Sequence, residues 1–163
     1  EMCIRDRAHP EALVVAFEVH RPGIARLLDE LDRGGPTNVA VVAADALTVL
    51  ERVPPASVAA IRVLFPDPWP KRRHRDRRMI DRSFVVTAAR ALTDGGTLEL
   101  ATDWADYADQ MESVVATEPS FVAEPAPQGS GRPTTPYEQR GIDAGRSIVN
   151  LRYVLRPGSG PRP

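Results

Sequence analysis

Short apolar, β-branched runs alternate with amphipathic helical patterns along this 163-residue chain, and that alternation admits few architectures. Leu13–Val19 reads as a buried strand. A helix follows from about Pro22 to Arg33, with its proline at the start, where a missing N–H is harmless. Val39–Ala43 is a second strand, Asp45 can cap a short helix reaching about Arg52, and Val58–Phe65 is a third strand. Beyond a basic run, Asp81 or Ser83 can open a helix to Leu92, and Asp94-Gly95-Gly96 makes a turn. Thr97–Ala101 is a fourth strand, a helix runs from about Trp104 to Thr117, and Ile148–Leu155 is a closing strand. Such an order builds an α/β domain around a mostly parallel sheet. Glu124–Thr135, rich in Pro, Gly and Ser, is expected to be a mobile surface loop.

The length suits one compact domain, expected over residues 9–156, with a flexible tail at 157–163. Residues 1–8 fit neither a strand nor a Gly-rich loop and are expected to be non-native or disordered. A doubly wound nucleotide-binding domain opens with a strand and a Gly-rich turn. Here the first strand already leads into an acid-bearing turn, Glu18-Val19-His20, so both opening elements are expected to be missing. No apolar run reaches the roughly 20 residues that span a bilayer. The single cysteine, Cys3, cannot form an internal disulfide, and the expected compartment is the cytoplasm. His9, His20 and His74 lie far apart without ligand spacing, so no metal is expected.

The net charge of −1 conceals a dense basic patch, because Lys71-Arg72-Arg73-His74-Arg75-Asp76-Arg77-Arg78 alone carries +5 with His neutral. A mildly acidic body with one such patch suits local contact with a polyanion. Lys71 is the one lysine among 21 Lys and Arg residues, which sets it apart from a general arginine bias.

The residues able to carry chemistry cluster after strands, where open α/β sheets place ligands. Glu18 can accept the two hydroxyls of a ribose, or be a solvated acid at a strand end. Asp45 faces the same choice between a base contact and a helix cap. Phe65-Pro66-Asp67-Pro68-Trp69-Pro70 is more specific, since three prolines in six positions stiffen the backbone around Asp67 and Trp69. A rigid acid beside a large aromatic can hold a planar base by its edge and its face. The bland alternative is a proline-rich turn with a packed tryptophan. The run to Arg78 reads as phosphate contacts or as a solvated face. Asp103, in Thr102-Asp103-Trp104, can cap the next helix, touch substrate, or do both. Thr135-Pro136-Tyr137-Glu138-Gln139-Arg140-Gly141 reads as a surface segment capable of substrate contacts.

Together, Phe17–Gly23, Phe65–Arg78, Ala101–Trp104 and Thr135–Gly141 resemble the bacterial tRNA (guanine-N7)-methyltransferase family, in family order and over about residues 10 to 156. The resemblance implies a Rossmann-like class I methyltransferase fold, a doubly wound sheet with an antiparallel strand near its end. It implies that S-adenosylmethionine is the methyl donor, contacted by Glu18, Asp45 and Asp67, with Asp67 also at the catalytic centre. Lys71, Asp103 and Thr135, Pro136, Tyr137 and Glu138 would bind a tRNA, methylated at N7 of a variable-loop guanosine. The expected protein is a monomer or weak homodimer with no obligate protein partner. Two rival readings are an amino-methyltransferase acting on an exocyclic base nitrogen of DNA or RNA, and a non-catalytic RNA-binding remnant.

Overall fold

A computed structural model describes residues 12–126 and 134–158. The expectations for residues 1–8, including Cys3, and for most of the Glu124–Thr135 loop and the tail lie outside the described residues. The chain divides into two compact units, one running to Arg52 and one from Val53 on, with Thr134 grouped with the first.

The first unit is a single strand–helix–strand turn. β1 (Val14–Phe17) and β2 (Val39–Val42) pair in parallel, from Val14 opposite Val39 to Phe17 opposite Val42. Helix α1 (Arg21–Asp32) makes the crossover, with Pro22 in its first turn. Helix α2 (Ala46–Leu50) follows β2. No described residue of this unit is fully buried. The expected buried strand is therefore half-buried at most, and Leu13, Val15 and Val19 are exposed. A two-stranded sheet with helical cover cannot enclose both of its faces.

The second unit holds the core. Its sheet runs β3 (Val58–Leu64), β4 (Leu92–Thr102), β6 (Val149–Leu155), β5 (Phe121–Glu124). β3 and β4 are parallel, while β6 runs antiparallel to both β4 and β5. A 3₁₀ helix (Arg72–Arg77) and α3 (Arg82–Ala91) connect β3 to β4, and α4 (Ala105–Val115) follows β4. Helix α5 (Pro136–Asp143) lies between β5 and β6. Asp81 caps α3 by accepting a hydrogen bond from the Phe84 amide, which settles the choice between Asp81 and Ser83.

Leu98 and Leu100 of β4 pack with Phe84, Val85 and Ala88 of α3 and with Tyr107, Ala108, Met111 and Val115 of α4 among the buried residues. These helical positions recur every three to four residues, so each helix turns one apolar stripe inward. On the β4 row through Glu99, residues in register carry alternating charge. Arg62 and Arg152 each meet Glu99 at 2.7 Å, and Arg152 meets Glu124 at 3.3 Å. Opposite charges across strands support this register.

β4 is longer than Thr97–Ala101 because Leu92 already pairs with Val58. The Asp94-Gly95-Gly96 turn survives as an irregularity inside it, where the register jumps between Val58 and Ala60 and Gly95 takes φ +73°. Among the described residues, no helix is long and apolar enough to cross a membrane.

Candidate functional site

The C-terminal ends of β3 and β4 are neighbours in a parallel pair, with Leu64 opposite Ala101. Asp67 follows one and Asp103 the other, so both acids stand at the same edge of the sheet. The proline-rich segment leaves β3 in an unusual backbone. Phe65 and Trp69 have φ of +53° and +41°, left-handed values that L side chains rarely adopt. Both also precede a proline, which favours extended backbone instead. Each such residue costs about 1–3 kcal/mol and persists only where its surroundings hold it.

Several contacts supply that hold. The Phe65 amide donates to the Ala101 carbonyl at 2.8 Å, tying the segment's start to β4. The Arg77 guanidinium lies 5.0 Å from the Trp69 ring centroid, and the His74 ring meets Trp69 edge-on at 5.8 Å. Asp67 is exposed, and its carboxylate has no hydrogen bond or ion pair among the described residues. An unengaged acid on a stiffened loop is available to a ligand.

The basic run divides sharply in three dimensions. Lys71 and Arg72 are exposed and without a side-chain partner among the described residues. Arg73, also exposed, bonds only its neighbour His74 among the described residues, at 3.3 Å. Arg75 pairs with Asp106 Oδ1 at 2.9 Å. Arg78 is buried: its guanidinium donates to the Pro68 carbonyl, Gln110 Oε1 and Asp106 Oδ2, and it lies over the Tyr107 ring. The hydrogen bond from Arg78, with the charges of Arg78 and Arg75, holds the Asp106 carboxyl below the usual carboxylate range. Burial pushes the Tyr107 phenol up, and its oxygen accepts the Ile80 amide at 3.0 Å. The expectation of phosphate contacts along the whole run to Arg78 therefore fails at its last residue, because α4 supplies a carboxylate and an amide that draw Arg78 inward.

Asp103 does not cap α4. The cap position is Trp104, which bonds no side chain of its own to the helix, and the Thr102 hydroxyl accepts the Trp104 amide at 3.2 Å. Asp103 instead accepts from Arg146 Nε at 2.7 Å. Gly141 of α5 packs against it so closely that a methyl there would lie 2.9 Å from Asp103 Oδ2. The segment after Thr135 is thus brought to the Asp103 corner.

In the first unit, Glu18 and Asp45 both follow the C-terminal ends of their parallel strands. Glu18 Oε1 accepts the amides of Val19 and His20, each at 2.8 Å. Gly23 leaves room for this carboxylate, since a methyl there would lie 3.1 Å from Oε2. Asp45 caps α2, with Oδ1 accepting from the Thr48 amide and hydroxyl. The second oxygen of each acid has no partner among the described residues. Among those residues no group of His, Cys, Asp and Glu is arranged to hold a metal ion.

Residues 6–151 match the family model described as "Putative methyltransferase". A tRNA (guanine-N(7)-)-methyltransferase of Alkalilimnicola ehrlichii is 41% identical over 158 residues, covering 93% of this chain and 66% of the relative. One of Nitrosomonas eutropha is 43% identical over 150 residues, covering 90% of this chain and 67% of the relative. The chain belongs to the tRNA (guanine-N(7)-)-methyltransferase family. It spans about two thirds of the length of these relatives. In fold it is similar to a 16S rRNA methyltransferase, KamB, with a TM-score of 0.62 at 17% identity, over 94% of this chain and 81% of that one. The fold is accordingly the Rossmann-like class I methyltransferase architecture that the resemblance implies. The four-stranded sheet is mixed, not mostly parallel as expected, because β6 runs antiparallel to both of its neighbours.

The family's tail segment is not the plain surface stretch it resembles in sequence. Thr135 and Glu138 are buried and reciprocally bonded in a capping box at the start of α5. Their Thr-x-x-Glu spacing is a helix-start signal, legible in the sequence, that the surface-segment expectation leaves out. Tyr137 remains exposed, with Arg140 4.6 Å from its ring centroid. Pro136 occupies the first turn. Arg146 carries no mark in the sequence. It stands 43 residues from Asp103, so no local signal could have paired the two.

Proposed function

We propose that this chain forms part of a tRNA (guanine-N7)-methyltransferase, which transfers a methyl group from S-adenosylmethionine to N7 of a variable-loop guanosine. The observation that carries the reading is the Asp67 carboxylate, without a partner among the described residues, on its strained loop at the edge of the sheet, in a chain of this family.

The acids of this chain fit the donor. S-adenosylmethionine supplies, when bound, the sulfonium methyl as electrophile. Glu18, already oriented by two backbone amides, would accept the ribose hydroxyls with its free oxygen. Asp45 would offer its second oxygen toward the adenine while still capping α2. Guanine N7 carries an in-plane lone pair and no proton, so no residue need act as a base. Asp67 would orient the purine and stabilise the positive charge that develops on it, an electrostatic role. Trp69 offers an aromatic surface beside it, and Lys71, Arg72 and Arg73 would meet the tRNA backbone.

The test supplies this chain with methyl-labelled S-adenosylmethionine and tRNA, alongside an extended protein. The extension is the part of the Alkalilimnicola ehrlichii relative that lies outside the match. Label in an alkali-labile, borohydride-sensitive site is the expected result, since N7-methylguanosine has that chemistry. Label in N6-methyladenosine instead makes the protein an amino-methyltransferase, and tRNA binding without label makes it a binding remnant.

Replacing Lys71, Arg72 and Arg73 by alanine should weaken tRNA binding and flatten its salt dependence. The expected change is roughly 0.7–0.9 in log–log slope for each phosphate that is no longer neutralised. An unchanged slope in a salt titration would reassign these residues to a solvated face.

A further inference from the structure

Arg78 sits ten residues beyond Pro68, at the end of the basic 3₁₀ helix, yet its side chain is only 1% exposed. A guanidinium so enclosed cannot meet a tRNA phosphate. Its three nitrogens point three ways: Nε to the Pro68 carbonyl at 2.8 Å, Nη1 to Gln110 Oε1 at 2.7 Å, and Nη2 to Asp106 Oδ2 at 2.6 Å. Gln110 and Asp106 both belong to α4, a helix anchored in the core by Tyr107, Met111 and Val115. One side chain thus joins the carbonyl next to Asp67 to a core helix of the unit.

The join matters because of what it holds. Phe65 and Trp69 are left-handed residues in front of prolines, and such a backbone relaxes toward extended geometry when released. Pro68 lies between Asp67 and Trp69, so a shift of its carbonyl carries the Asp67 carboxylate with it. Transfer between two aligned reactants is far more sensitive to such a shift than binding is, and about 1 Å of misplacement can cost about 10²-fold in rate.

We propose that Arg78 is a positioning residue for methyl transfer, holding the Asp67 loop against α4 by the Pro68 carbonyl. This rests on the reading of Asp67 given above. Arginine is required because a lysine ammonium is a single point charge and cannot reproduce a planar three-way fork.

The test compares Arg78→Lys and Gln110→Leu with wild type in the extended protein, measuring kcat, KM and Kd for tRNA, and the melting midpoint. For folded Arg78→Lys, kcat should fall roughly 10²-fold, with Kd for tRNA and its salt slope unchanged. Gln110→Leu leaves two of the three bonds and should lower kcat by less, again at constant Kd. A folded Arg78→Lys protein with wild-type kcat overturns the proposal, as does a loss confined to KM and Kd with a flatter salt slope. Should Arg78→Lys fail to fold, Gln110→Leu decides, and an unchanged kcat there overturns it equally. An inactive wild type overturns the functional reading and this inference with it, whereas an active wild type with unaffected variants overturns this inference alone.

Discussion

Asp67→Asn in the extended protein should lower kcat for tRNA methylation by roughly 10²–10³-fold, the range for removing one preorganised electrostatic group. Its affinity for tRNA and its melting midpoint should scarcely change. Both halves of this expectation follow from one observation. The Asp67 carboxylate is exposed and bonds to nothing among the described residues, so the fold does not depend on it. Substitutions at such positions usually shift stability by no more than about 0.5 kcal/mol. Asparagine preserves shape and removes the charge, so a loss in kcat measures electrostatics in the transition state. Near-normal single-turnover rates in Asp67→Asn would refute the assignment, and a fall in the melting midpoint would show that the acid has a structural partner.

Tyr107→Ala should have the largest effect on stability, about 3–5 kcal/mol by denaturant titration. The ring is fully buried on α4, it lies under the Arg78 guanidinium, and its hydroxyl accepts the Ile80 amide. Truncation opens a cavity beneath a buried charge and leaves that amide without a partner. Against a typical total of about 5–15 kcal/mol, such a loss would bring the second unit close to unfolding. Tyr107→Phe separates the two contributions. It keeps the packing and removes only the acceptor, so it should cost about 1–3 kcal/mol. Equal midpoints for wild type and Tyr107→Phe would mean that the Ile80 amide finds another acceptor, and would assign the whole loss in Tyr107→Ala to packing.

The two readings of each acid separate according to the range of the forces involved. Asp45 as a cap of α2 was legible, and the cap of α3 was narrowed to Asp81 or Ser83, because a cap is a hydrogen bond reaching three residues along the chain. The same range explains why the Thr135–Glu138 box could have been read from its spacing. β5 could not. It is only Phe121–Glu124, with one buried residue, and it exists as a strand through its pairing with β6, some thirty positions further on. Strand propensity in so short a segment is weak without its partner.

By itself, the sequence determined the end of β3, the stiffness around Asp67 and the placing of acids after strands. Proline locks its own φ and withholds its own N–H wherever the chain goes, and the strand–helix alternation is a local pattern of apolar residues. Only the tertiary structure decided which members of a uniform basic run face outward. Arg72 and Arg78 are alike in sequence. Yet one is exposed and the other is enclosed by Asp106 and Gln110, about thirty residues away, just as Asp103 is matched by a distant Arg146. The energy of a charged side chain is set by the groups and the water around it, and those neighbours are brought together only when the chain folds.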